Sequence, residues 1–249
     1  MFGRTALLAV LIVLLCASCG RTGQGSGNGG DEPKPVDAGK TEDAAGSGAN
    51  RAKRVEVSTL ATNLEVPWSF AFLPDGDALV TERDSGKLLK VSPSGDVREI
   101  QTLPEGGSGE GGLLGVAVSP DYRQDRYVYA YYTTERDNRV VRFRLGEEPE
   151  PILTGIPVNT FHDGGRIRFG PDGMLYVTTG DAGDSETSQA RSSLGGKILR
   201  IEPDGSVPPD NPFAGNPVYS YGHRNVEGLA WDADGRCTPA SSGRTRGTR

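Results

Sequence analysis

The chain has 249 residues, a net charge of −6, 36 glycines and 7% aromatic residues. That length holds one large domain or two small ones. The negative balance excludes the basic face on which nucleic-acid binding depends, and the glycine excess favours many short strands with tight turns over long helices.

The chain opens as a targeting signal. Arg4 supplies a positive start, and Ala6 to Leu15 form an unbroken apolar run of about ten residues, half of what a spanning helix needs. Cys16-Ala17-Ser18-Cys19-Gly20 follows. Small residues before a cysteine resemble the lipobox of bacterial lipoproteins, which implies a signal peptide over 1–18 and a lipid on Cys19. Cys16 stands where that box usually carries leucine, and an ordinary signal peptide cut near Ser18 is the competing reading. Residues 19–54 then comprise the anchor cysteine and a tether with too few large apolar residues to offset the entropy of ordering. The expected location is outside the cytoplasm, lipid-anchored at the cell envelope. The remaining cysteine is Cys237, so no disulfide is expected.

From Val55 to Arg236 one phrase recurs. It reads Phe72-Leu-Pro-Asp-Gly with Ala78-Leu-Val-Thr81, then Val118-Ser-Pro-Asp121 with Tyr127-Val-Tyr-Ala130. It returns as Phe169-Gly-Pro-Asp-Gly with Leu175-Tyr-Val-Thr178, and begins again at Trp231-Asp-Ala-Asp-Gly235. Pro-Asp-Gly is a turn: proline presets φ, aspartate bonds nearby backbone, glycine accepts positive φ. The runs that follow are β-branched and aromatic, as strands prefer. Asp75, Asp121, Asp172 and Asp234 lie about 46, 51 and 62 residues apart, near the length of a propeller blade. Second strands follow at Lys87–Ser92 and Lys197–Glu202, whose lysines read as polar strand faces. The fold class expected is all-β, a β-propeller of about three blades plus the start of another, with a β-sandwich as the alternative.

Three segments are too polar and glycine-rich for blade strands: Gly109 to Gly115, Phe161 to Phe169, and Tyr221 to Leu229. Glycines there let backbone approach a ligand closely. In a propeller such loops project towards one end of the channel.

These residues carry a resemblance. VPWSFAFLPDGDALVTER, GEGGLLGVAVSPDY, HDGGRIRFGPDGMLYVTTGDAG and YGHRNVEGLAWDADG, in that order, are similar to the soluble quinoprotein glucose/sorbosone dehydrogenases, over about Leu60 to Arg236. The resemblance implies a six-bladed propeller that oxidises aldose sugars at the anomeric carbon with pyrroloquinoline quinone (PQQ) and calcium, passing electrons to a further acceptor. It makes His162 the catalytic base, which suits an imidazole near neutral pH. It makes Asp181 the carboxylate that orients this histidine, Arg224 the cation that steadies charge on the quinone, and Arg224 with Asn225 the cofactor contacts. Glu110, at the edge of the substrate site, replaces the family's usual glutamine. Plainer readings compete: Asp181 as a turn residue, Arg166 as a solvated strand residue, His223 as structural. Asp181, Asp184 and Glu186 suggest calcium ligands, but the spacing is no EF-hand and a loop is the preferred reading. No metal ligand is assigned.

The fourth repeat falters after Arg236. An apolar strand is due, yet residues 237–249 hold no acid and no alternation. One allowed codon choice for this stretch, shifted by one base, reads Leu-Tyr-Ala-Ser-Glu-Phe-Gly-Gln, the missing strand and a turn the family carries. Residues 237–249 are therefore expected to be out of frame, the calcium turn lost and the chain an inactive fragment. A divergent natural tail is the alternative. In function, the rival classes are a non-catalytic surface propeller binding sugar or protein and a calcium-dependent lactonase.

Overall fold

The computed structural model describes residues 57–242 apart from Glu105; the signal peptide, Cys16, Cys19 and the tether lie outside the described residues. The described part is an all-β propeller segment of four successive sheets. The first holds β1 (Pro67–Phe72), β2 (Ala78–Glu82), β3 (Lys87–Val91) and β4 (Val97–Thr102). The second holds β5 (Leu113–Val118), β6 (Tyr127–Thr133), β7 (Asn138–Arg144) and β8 (Glu150–Ile156). The third holds β9 (Ile167–Phe169), β10 (Leu175–Thr178), β11 (Lys197–Ile201) and β12 (Val218–Tyr221). The fourth is the pair β13 (Asn225–Trp231) and β14 (Cys237–Ser242). Each sheet is an antiparallel meander in sequence order. Each of the first three repeats thus has four strands where the sequence repeat suggested two.

The recurring phrase closes the same turn each time. Gly76, Gly173 and Gly235 donate to Leu73, Gly170 and Asp232, and those three donate onward to Asp77, Met174 and Arg236. The Asp121 copy differs, running into the one-turn α1 (Tyr122–Asp125).

A strand between two blades must bury both faces. In β6, Val128, Ala130 and Tyr132 pack towards the first blade, while Tyr129 and Tyr131 pack towards the third. In the third blade Leu175, Val177, Leu199 and Ile201 face the second blade; Tyr176 and Ile198 face the fourth. By contrast, Phe70 and Phe72 on β1 are 60% and 64% exposed and stack edge-on at 5.7 Å.

Residues 237–242, which carry no strand signal in their composition, form β14 nonetheless. They pair with β13 from Trp231↔Cys237 to Asn225↔Ser242. Backbone hydrogen bonds need no apolar side chain, and Pro239 is tolerated because β14 lies at a sheet edge.

Candidate active site

In a four-stranded meander each new blade begins where the last one ended, at the same end of the stack. The segments before β5, β9 and β13 therefore gather, and they are the three glycine-rich loops. The loop between β10 and β11, which contains the one-turn α2 (Ser185–Gln189), lies at that end too.

His162 precedes β9 and takes a left-handed φ of 62°. Three bonds over-determine that conformation. Its N–H donates to Glu110 Oε2 at 2.7 Å, its carbonyl accepts from Ala182 at 3.2 Å, and its Nδ1 meets Asp181 Oδ1 at 2.7 Å. His162 and Asp181 are 8% and 5% exposed. Facing a carboxylate, Nδ1 carries the proton, which leaves Nε2 as the basic nitrogen. Phe161 packs edge-on against the ring at 4.8 Å.

Asp181 is itself fixed. Its Oδ1 accepts from the Gly183 N–H at 2.9 Å, and its own N–H donates to the Arg224 carbonyl at 2.7 Å. Backbones pack so closely here that a Cβ on Gly180 would overlap the His162 carbonyl oxygen.

Asn225 braces the cluster. Its Oδ1 accepts from Gly164 at 2.9 Å, and its Nδ2 donates to Glu227 at 3.0 Å and more weakly to Glu110 at 3.5 Å. Glu110 thus faces two donors, the His162 N–H and the Asn225 amide, so a carboxylate serves where the family often has an amide. Arg224 reaches the cluster by its backbone; its guanidinium is exposed and forms no hydrogen bond or ion pair among the described residues. Asp184 caps α2 by accepting from Glu186 at 3.0 Å, in keeping with a loop.

Other contributors lie within the same motifs but drew no catalytic reading from the sequence. Asp163 is buried, which raises its carboxyl pKa; Oδ1 accepts from Asn138 at 2.8 Å while Oδ2 has no partner. Its carbonyl accepts from Tyr131 of the second blade at 2.7 Å. Arg166 is half-buried and engaged rather than freely solvated. It lies over Trp68 at 4.3 Å and donates to Ser69 Oγ at 2.6 Å and the Glu227 carbonyl at 2.9 Å, which ties the first, third and fourth blades together. Nearby is a hollow of about 300 Å³ lined by Trp68, Arg83, Glu110, Asp163, Gly164 and Glu227. His223 is buried, bonding Ser220 Oγ at 2.8 Å, as its structural reading requires. Lys87 is a surface residue paired with Glu99 at 3.4 Å, but Lys197 is fully buried, not a polar face. The sheet is covered on both sides at β11, so alternation cannot mark a solvent face there.

The glucose/sorbosone dehydrogenase family model matches residues 64–247. Quinoprotein glucose dehydrogenase B of Acinetobacter calcoaceticus is 31% identical over 235 residues, covering 78% of this chain and 49% of the relative. Aldose sugar dehydrogenase YliI of Escherichia coli is 30% identical over 200 residues, covering 71% and 53%. The PQQ-bound aldose sugar dehydrogenase of Streptomyces coelicolor superposes with a TM-score of 0.72 at 51% identity, covering 76% of this chain and 60% of that one. The chain spans about half the length of the curated relatives it matches.

Proposed function

Because the chain belongs to the glucose/sorbosone dehydrogenase family, we propose that its loop cluster is the acid–base half of a site for oxidising aldose sugars at the anomeric carbon. The observation that carries this is the buried 2.7 Å contact between His162 Nδ1 and Asp181 Oδ1. With Nδ1 held, Nε2 takes the proton of the anomeric hydroxyl, and Asp181 stabilises the imidazolium that results. PQQ, when bound, supplies the two-electron acceptor for the hydride leaving C1, so that the aldose becomes a lactone. Such a cofactor, rich in anionic oxygens, fits the unbonded Arg224 guanidinium, which would hold it and steady its charge. Asn225 already has both ends of its amide engaged and acts first as a brace. In this reading calcium is held by backbone oxygens of the turn that a restored frame provides after Arg236.

The test is His162→Ala in the protein with its frame restored beyond codon 236. Aldose oxidation with PQQ and calcium supplied is expected to fall about 10²–10⁴-fold. Undiminished turnover overturns the site reading and favours the non-catalytic propeller. If the 249-residue chain turns over as fast as the frame-restored protein, the frame reading falls while the site reading stands. For location we propose lipid anchorage through Cys19, tested by release of Cys19→Ser from membranes; unchanged membrane association rejects it.

A further inference from the structure

Lys197 opens β11 with a side chain at 0% exposure. Its ammonium donates to three backbone carbonyls: Thr187 at 2.7 Å, Ser188 at 3.0 Å and Gly195 at 2.5 Å. Among the described residues it forms no ion pair. A buried charge without a counter-ion is costly and persists only where oxygens take up its protons.

Those oxygens belong to the loop behind Asp181. The Asp181 carbonyl accepts from Asp184 at 2.9 Å, and the Gly180 carbonyl accepts from Gly196 at 2.7 Å. The Ser188 carbonyl that takes Lys197 also takes the Gly222 N–H at 2.8 Å, and Gly196 accepts from His223 at 3.1 Å. One ammonium thus joins the loop presenting Asp181 to the turn carrying Arg224 and Asn225. The proposed chemistry does not use Lys197, and its burial denies it to a substrate.

We propose that Lys197 is a positioning residue for the His162–Asp181 pair, its ammonium acting as an internal cation that holds three carbonyls and, through them, the register of the Asp181 loop. The titratable and charged groups on the elements around it are Asp181, Asp184, Glu186 and Arg191 on the loop that contains α2, Tyr176 on β10, Arg200 further along β11, Tyr219 and Tyr221 on β12, and His223 beyond it. Of these, His223 feels its charge.

The arrangement is sensitive to pH. Burial pulls the Lys197 pKa down to about 8, while the three carbonyls favour the charged form. A neutral amine has two N–H bonds for three carbonyls, so deprotonation frees one of them and loosens the loop. Global stability moves the other way. The folded pKa lies below the 10.5 of an exposed lysine, so between about 8 and 10.5 the unfolded chain binds more protons and stability rises with pH. Local loosening against rising stability separates this effect from alkaline unfolding.

The chain has two histidines, so ¹⁵N-imidazole spectra report only His162 and His223. In the 249-residue chain near pH 7, His162 is expected as the Nδ1–H tautomer that Asp181 selects. It should shift towards the Nε2–H form as Lys197, followed through its ¹⁵Nζ resonance, loses its proton. In Lys197→Met the mixed tautomer should be present at pH 7 with no further step near pH 8, while amides of the first two blades keep their shifts. A His162 tautomer unchanged as Lys197 discharges, or unchanged in folded Lys197→Met, overturns the proposal. The titration of the unaltered chain decides it if Lys197→Met does not fold. The inference rests on the proposed His162–Asp181 roles, but the readout needs no turnover. Failure of the dehydrogenase reading shows as an unaffected His162→Ala rate, with the coupling of tautomer to Lys197 intact.

Discussion

The strand β10 has two unlike ends. At one, Gly170 to Met174 close a turn on themselves, and Asp172 accepts from Met174, Tyr176 and Arg200. At the other, Thr179 to Asp184 are held by His162, Arg224, Leu194 and Lys197, partners that come from other loops and another strand. The backbone of the turn is closed by neighbours in sequence, with Arg200 a distant side chain on Asp172, and the loop is held by neighbours in space. The proposed site lies at the end that local sequence determines least, because converging side chains must come from several loops.

The difference can be broken from the site end first. Gly180→Ala places a methyl on the His162 backbone carbonyl and close to the Asn225 amide oxygen, which the Gly164 N–H holds in place. Urea unfolding should show a loss of about 3 kcal/mol, along with loss of the His162 tautomer signal. A stability within error of the parent refutes the close packing. At the turn end, Gly173 has a φ of 79° and open space around its missing Cβ. Gly173→Ala should therefore cost only the left-handed penalty of about 1 kcal/mol, with the His162 spectrum untouched; a change in that spectrum shows that the two ends are coupled.

The smallest effect is one of pH. Burial, then the charge of Lys197, lowers the His223 pKa from 6.5. The unfolded chain takes up this proton first, so stability declines as pH falls below 6.5. Asp163, whose pKa burial raises, acts in the opposite sense, its folded form taking a proton first. His223→Gln should flatten the decline below pH 6.5 in urea midpoints measured at stepped pH. Parallel slopes for parent and variant count against it.

Legibility follows the same division. The Pro-Asp-Gly turns and their spacing announced the blades because each turn is closed by its own few residues. His162 and Asp181 were legible through their motif, and the geometry brings them together. Lys197 was not legible: a lysine opening Lys197-Ile-Leu-Arg-Ile201 reads as a polar strand face, yet blades cover both faces and the lysine finds carbonyls instead of water. Nor was β14. Its alternation is one of burial, with Cys237, Pro239 and Ser241 half-buried and Thr238 and Ala240 exposed, not one of hydropathy. Ser69 and Arg166 meet across a separation of 97 residues, with Trp68 beside them, and no local pattern reports such a meeting.

That last contact sets a schedule for folding. The Arg166 bond to Ser69 closes over a sequence separation of 97 residues. At a synthesis rate of roughly 5–20 residues per second, β1 emerges roughly 5–20 s before the arginine that caps it. Through that interval β1 must wait with Trp68 uncapped and with Phe70 and Phe72, already exposed in the folded segment, open to other chains. The inner strand of the first blade is thus capped well after the rest of that blade has emerged, and a ribosome paused between codons 102 and 166 would prolong the stage at which Trp68 lies uncovered.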